Sequence, residues 1–462
     1  VIAVVWALFG AAIGCAALYR FGGLSAFQPR WAAALLMLGG GTAAGMGLTS
    51  CLFFLCRLSV PAVPKLALLM EAAIAAWLAY DIWRQRDAAP AAAGGAARSA
   101  HTTLLMAAVV VALALATSAM TNAWEANPQG GWDAWSIWNL RAKFLAAPGA
   151  LPQRAWSPAL SWTHPEYPLL LSGFVARCWT YAGSTTEAAP MAVSYLFFLA
   201  LLAVLTGGVA VWRSRVLGLL AGLALLGAPM FLHEVISQYS DVALACYFAG
   251  AMVFALLDRP LIAGIFAGLA AWTKDEGTLY VVVFLAAVAL LRRRQFLRAA
   301  IGAIPLAALT LIFKFMLAPR ASTFFGQSIS VMAGHLVDPG RIGQVLGEFA
   351  HEVGALGIGW YHPILPVIVL AAALGFDRDR RDDLIFPGAV LAAMLAGYFA
   401  IFLITPFDLK WQLQTSLYRL IEQVWPLLLL AVFAVLRAPD SAAVPEPEAP
   451  VKARKKAKTR NA

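Results

Sequence analysis

The stretch AGLAAWTKDEGTLYVV, residues 267–282, sets four consecutive polar residues, Thr273 to Glu276, and a glycine between two apolar runs. A plain hairpin between two membrane helices needs far fewer charges. Polar groups at membrane depth are costly, and they face a cavity or mark a functional path. Lys274, Asp275 and Glu276 are therefore set apart from surface charges. Pairing of Lys274 with its neighbouring acids is the competing account.

Working outward, the apolar runs do not stop. The chain has 462 residues, 61% hydrophobic and 13% charged, outside the range of a soluble domain and fitting a polytopic membrane protein. Runs able to cross a hydrocarbon core of ~30 Å, or ~20 helical residues, recur from the first residue to position 437. They predict an all-α bundle of about 13 transmembrane helices. The opening run VIAVVWALFGAAIGCAALYR lacks a charged start and a small-residue cleavage site, and reads as a retained span. Residues 1–83 hold three spans, 84–102 read as an Ala/Gly/Pro-rich cytoplasmic linker, 103–437 as the main helical domain, and 438–462 as a basic disordered cytoplasmic tail.

The run 167–183 reads as a short non-spanning helix, because that parity puts the Arg-rich loops on one side. The net charge of +10 is concentrated in LRRRQFLR (291–298) and KARKKAKTR (452–460). Positive-inside topology explains both, and nothing points to nucleic acid. The five cysteines lack metal or redox spacing and read as packing residues.

With that topology the acids and histidines gather outside. GGWDAWSIWNLRAKFL, 130–145, carries Asp133 among Trp132, Trp135 and Trp138 in the first large outer loop. At 100° per residue Trp135, Trp138, Ala142 and Leu145 form one stripe, with Asp133, Ser136 and Lys143 opposite. This predicts an amphipathic interfacial helix anchored by the three tryptophans. On the bland reading Asp133 caps that helix or pairs with Arg141. THPEYPLLL, 163–171, offers His164 and Glu166, too few ligands for a closed metal site. In HEVISQYSDVALACYFAGA, 233–251, Asp241 opens a span, where an acid suits the first turn. ITPFDLKWQLQTSLYRLIEQVWP, 404–426, brings Lys410 and Arg419 to the outer face, where both suit a phosphate. An Arg419–Glu422 helical pair is the alternative there.

In this order, the outer loop with Asp133, HPEYPLLL, YSDVALA and GLAAWTKDEG, residues 103–437 resemble the GT-C superfamily of integral-membrane glycosyltransferases. The likeness is to the protein mannosyltransferase-like and aminoarabinose-transferase-like (family 39-like) groups, which use polyprenyl-phosphate sugars. The resemblance implies that Asp133 is the first-loop catalytic base, that Asp241 is a second outer acid near the site, and that Lys274 matches the turn lysine. Ala134 departs from the paired acid of many relatives, and the three leading spans are additional.

Sugar transfer from a polyprenyl phosphate needs a base on the acceptor hydroxyl, positive charge on the departing phosphate and room for a lipid tail. The expectation is an inverting transferase moving sugar to a glycan, lipid or protein acceptor on the periplasmic face of a bacterial inner membrane. Asp133 would be the base, and Lys274, Lys410 and Arg419 would meet the phosphate. His164, Glu166, Asp241, Asp275 and Glu276 would support them. No cofactor is assigned, and a divalent metal ion stays open; if one takes part, Glu166 or Asp241 is its candidate ligand. The rival is a transporter or flippase with a broken helix at 273–277. Against it stand the lack of an internal repeat and the gathering of polar groups at one face.

Overall fold

A computed structural model describes residues 1–85, 100–147, 149, 151–320, 327–357 and 361–440. Most of the expected linker and tail, 86–99 and 441–462, lies outside the described residues. The regular elements described are helical, and one isolated antiparallel bridge joins Phe376 to Leu436.

The first half runs α1 (Ile2–Phe21), α2 (Arg30–Ser59), α3 (Leu66–Arg84), α4 (Ala100–Ala126), α5 (Asn139–Ala146), α6 (Leu170–Ala182) and α7 (Ala188–Trp212). It continues through α8 (Arg215–Leu226), α9 (Pro229–Ile236), α10 (Asp241–Leu256), α11 (Pro260–Thr273), α12 (Asp275–Leu291) and α13 (Arg293–Ile312). Later helices include Pro339–Ala355, Ile364–Leu374, Ile385–Ile404 and Tyr418–Val435. Proline at the first position pre-sets the start of α9 and α11, where no N–H is needed.

Among the described residues eight helices are long and apolar enough to cross a membrane, or nine if the bent pair α8 and α9 counts as one. The chain is an integral membrane protein. The run 216–232, expected as one span, turns by 59° between α8 and α9, where Gly227 and Ala228 interrupt the helix. The 13-residue α6 is too short to cross, and nearly all of it is enclosed by protein.

Every residue of α10 is buried, which makes it the axis of the bundle. Packed on it are α7, α11 and Tyr418–Val435. By contrast α3 and α4 lie at the periphery, with large apolar side chains such as Leu69, Leu104, Val110 and Leu115 exposed.

The three leading helices are built into the same body. Gly10 and Gly14 of α1 meet Gly41 and Gly45 of α2 so closely that a Cβ on Gly14 would lie 2.1 Å from the Gly41 carbonyl oxygen. Small residues four apart on both helices permit this backbone contact, the usual solution where lipid removes any hydrophobic drive between helices. The Tyr247 hydroxyl of α10 donates to the Ala43 carbonyl of α2 at 2.9 Å, and Ser50 donates to the Leu170 carbonyl at 2.6 Å. Deeper still, Arg177 of α6 and Glu71 of α3 form a completely buried ion pair. Tyr181 donates to the same carboxylate at 3.0 Å, and Arg177 reaches the Trp6 carbonyl at 2.8 Å.

Removing one partner of such a pair strands a charge, whereas replacing both with apolar groups does not. Glu71→Ala is expected to destabilise the protein by about 3–5 kcal/mol, and Glu71→Leu with Arg177→Met to recover most of the loss. Equilibrium unfolding in mixed SDS and mild detergent measures both.

Candidate active site

Asp241 stands at the first position of α10, but its carboxylate does not cap its own helix. It faces outward from the axis and receives four hydrogen bonds. Lys274 Nζ at 3.0 Å and Gln423 Nε2 at 2.6 Å reach Oδ1. Arg419 Nε at 3.1 Å and Nη2 at 2.6 Å reach Oδ2. The side chain is fully buried, where an ion persists only if its lone pairs are met.

Local chain geometry delivers each donor. Lys274 is extended between α11 and α12 (φ −158°, ψ 164°), and α12 restarts at once because Gly277 lies against α11. A Cβ there would be 1.8 Å from the Ala270 carbonyl oxygen. Lys274 also meets Glu276 at 3.1 Å, so self-pairing and a partner across the bundle are both realised. Arg419 and Gln423, one turn apart, share a face of Tyr418–Val435, and the Tyr398 hydroxyl fixes Gln423 at 2.8 Å.

Arg419 gathers further acids. Its Nη2 lies 2.8 Å from Asp133 Oδ2, its Nε 3.7 Å from Glu234 Oε2, and its guanidinium sits 4.5 Å over the Tyr239 ring. Asp133 and Arg419 are 18% and 12% exposed, while Glu234 and Asp241 are 0% exposed. Asp133 is thus the water-facing member of the acid group.

The loop bearing Asp133 is laced to residues 236–238. Gly131 N–H donates to the Ser237 carbonyl at 3.0 Å, Trp124 Nε1 to the Ile236 carbonyl at 3.1 Å and Gln238 Nε2 to the Pro128 carbonyl at 2.9 Å. Beyond Asp133 the chain is π-helical from Ala134 to Trp138, which corrects the expected stripe. A wider turn changes the angle between successive side chains. Trp132 and Trp135 are about half exposed, but Trp138 is buried and stacks on Tyr167 at 5.9 Å. Ser136, expected opposite the stripe, is buried too. Arg141 does not pair with Asp133; it donates to the carbonyls of Ala155, His164, Pro165 and Tyr167. Nor does Glu422 pair with Arg419: it is fully buried, and neither carboxyl oxygen has a hydrogen-bond partner among the described residues.

A second charged group lies alongside. His164, held at φ 50°, stacks on Tyr167 at 4.7 Å, and its Nδ1 lies 3.1 Å from Glu166. Burial works to raise the Glu166 pKa, but the His164 contact, the backbone and Lys314 together hold it below the usual value. Lys314 donates to Asp275 at 2.5 Å. Burial and then the carboxylates of Glu276, Asp275, Glu166 and Asp133 push the Tyr167 phenol well above its ordinary range. Lys410 is exposed, and no ion pair ties it to either group among the described residues.

Two further π-helical turns flank the cations: Phe313–Leu317 contains Lys314, and Leu413–Leu417 precedes Arg419. Such turns re-aim side chains and recur at functional sites. No three His, Cys, Asp or Glu side chains among the described residues converge to hold a metal ion. The acids that do converge, Asp133, Glu234 and Asp241, surround a guanidinium. The residues present therefore do not fit a metal.

Residues 184–406 match the model of glycosyltransferase family 87. No curated protein and no solved structure gives a match. The family match supports a membrane glycosyltransferase, without the finer placement in the protein mannosyltransferase-like or aminoarabinose-transferase-like groups. It takes in Glu234, Asp241, Lys274 and Lys314 and leaves Asp133 and Arg419 outside.

Asp241 and Asp133 differ in what depends on them. Asp241→Ala leaves Lys274 and Arg419 buried around a missing acid and is expected to cost about 3–5 kcal/mol. Asp133→Asn is expected to change stability by less than about 1 kcal/mol. The same SDS unfolding measurement separates them.

Proposed function

We propose that the protein transfers a sugar from a polyprenyl-phosphate-linked donor to a hydroxyl of a cell-envelope acceptor on the non-cytoplasmic face of a bacterial inner membrane. The observation that carries this reading is Asp133, the partly exposed one of the three carboxylates around Arg419, 2.8 Å from a guanidinium that is anchored on buried Asp241. A base open to a water-borne acceptor beside a cation for a phosphate is what displacement at an anomeric carbon requires.

In this reading Asp133 takes the proton as the acceptor O–H bond breaks. The acceptor oxygen forms the new bond to the anomeric carbon from the face opposite the phosphate. As that bond forms, the anomeric carbon–oxygen bond to the phosphate breaks with its electron pair going to polyprenyl phosphate, so the configuration inverts. Arg419 and Lys274 offset the charge that grows on the phosphate; Lys410, exposed one short helix earlier, is a secondary candidate. The His164–Glu166 and Asp275–Lys314 pairs lie where an acceptor would approach, and the half-exposed Trp132 and Trp135 would hold the loop at the headgroups.

The transporter reading draws on the 59° break between α8 and α9. The family match favours transfer over transport.

The test is transfer in proteoliposomes supplied with radiolabelled polyprenyl-phosphate sugars and cell-envelope acceptors. The parent is expected to transfer label, and a folded Asp133→Asn variant to be slower by about 10²–10⁴-fold, the usual worth of a general base. Label that crosses the bilayer without being transferred would establish the transporter instead.

A further inference from the structure

Arg419 holds Asp241 and Asp133 in two different ways. The side-on edge, Nε and Nη2, grips Asp241, whose other oxygen is held by Lys274 and Gln423. Its Nη2 also lies 2.8 Å from Asp133 Oδ2, an ion pair without a hydrogen bond, and Nη1 makes no hydrogen bond among the described residues. Asp241 is enclosed and has four donors. Asp133 is partly exposed, comes from a separate loop, and its side chain has no other partner among the described residues.

This arrangement conflicts with a base that is always ready. The Asp133 oxygen engaged by Arg419 is closed to an acceptor hydroxyl, and the guanidinium neutralises the charge that would draw the proton. The asymmetry shows which contact can yield. Breaking the enclosed Asp241 contact would strand buried charge, whereas the outer one opens toward water.

We propose that Arg419 is a latch on Asp133 that the donor's phosphate releases. The phosphate, an oxyanion suited to the guanidinium fork, replaces Asp133 on the Nη1–Nη2 edge while the Asp241 edge stays in place. Asp133 becomes free only when a leaving group is seated, so the donor binds before the acceptor can be deprotonated. Water entering a donor-free site meets no active base. This rests on the polyprenyl-phosphate reading above and adds an order of events to it.

The consequence is a competition that binding alone can measure. Undecaprenyl monophosphate, which has no sugar to transfer, is titrated onto the full chain in nanodiscs of neutral lipid, with thermal unfolding confirming each variant's fold. If the phosphate must displace Asp133, Asp133→Asn binds it about tenfold more tightly than the parent. Arg419→Gln binds it at least about tenfold more weakly, and adding Asp133→Asn to Arg419→Gln changes nothing further.

Tightening by Asp133→Asn in both backgrounds would mean general charge repulsion and overturn the latch. No tightening by Asp133→Asn in the parent, where Arg419 is intact, would overturn it too. In either case lipid binding, and with it the donor reading, would survive. If neither the parent nor any variant binds the lipid, the donor reading and the latch fall together.

Discussion

Asp241 is a carboxylate sealed inside a bundle of apolar helices, and the site follows from what it takes to keep it there. A lone ion in such a medium is prohibitively unstable; one met by four donors is not. The donors come from segments far apart in the chain: Lys274 from the junction of two helices, Arg419 and Gln423 from the last long helix. Satisfying Asp241 therefore fixes where those segments stand, and Arg419 in turn fixes Asp133 and draws in Glu234. The pieces of the candidate site are mutually positioned by charge, on a scaffold positioned by packing around α10.

The family match and the site overlap only in part. The matched residues, 184–406, contain the enclosed acid and its lysine. The two groups that face outward, Asp133 and Arg419, come from before and after that stretch. The candidate site is assembled from both sides of the matched stretch, which itself holds Asp241, Lys274 and Glu234 of the charge network.

How much was legible depended on contrast. Asp133, Asp241, Lys274 and Arg419 were visible in the sequence because charges beside apolar runs are expensive and demand a reason. Lys314 was not, because it lies inside a run read as one apolar span. Glu234 lies in the quoted run 233–251 but was not singled out as a member of the site, because the bend between α8 and α9 that brings it inward is a tertiary feature. The order of side chains around the Asp133 helix was misread for a geometric reason: a wheel of 100° per residue does not apply to the π-helical turn at Ala134–Trp138. Most of the long apolar helices were plain from hydropathy; the break between α8 and α9 and the helix Pro339–Ala355 were not. The closeness of α1 and α2 depends on which glycines face each other, and hydropathy does not encode that.

The Glu71–Arg177 pair carries a consequence for how the protein is made. The two residues are 106 positions apart, so at a synthesis rate of ~5–20 residues per second α3 emerges ~5–20 s before its partner exists. Through that interval Glu71 would enter lipid uncompensated, at a cost comparable to the ~2.5–3.5 kcal/mol of an acidic residue at a helix centre. The third helix must therefore wait beside the insertion machinery, or lie shallow at the interface, until α6 arrives. The leading three helices are in this sense unfinished until the chain is nearly 180 residues long, and a ribosome stalled earlier would leave a charged helix without a home.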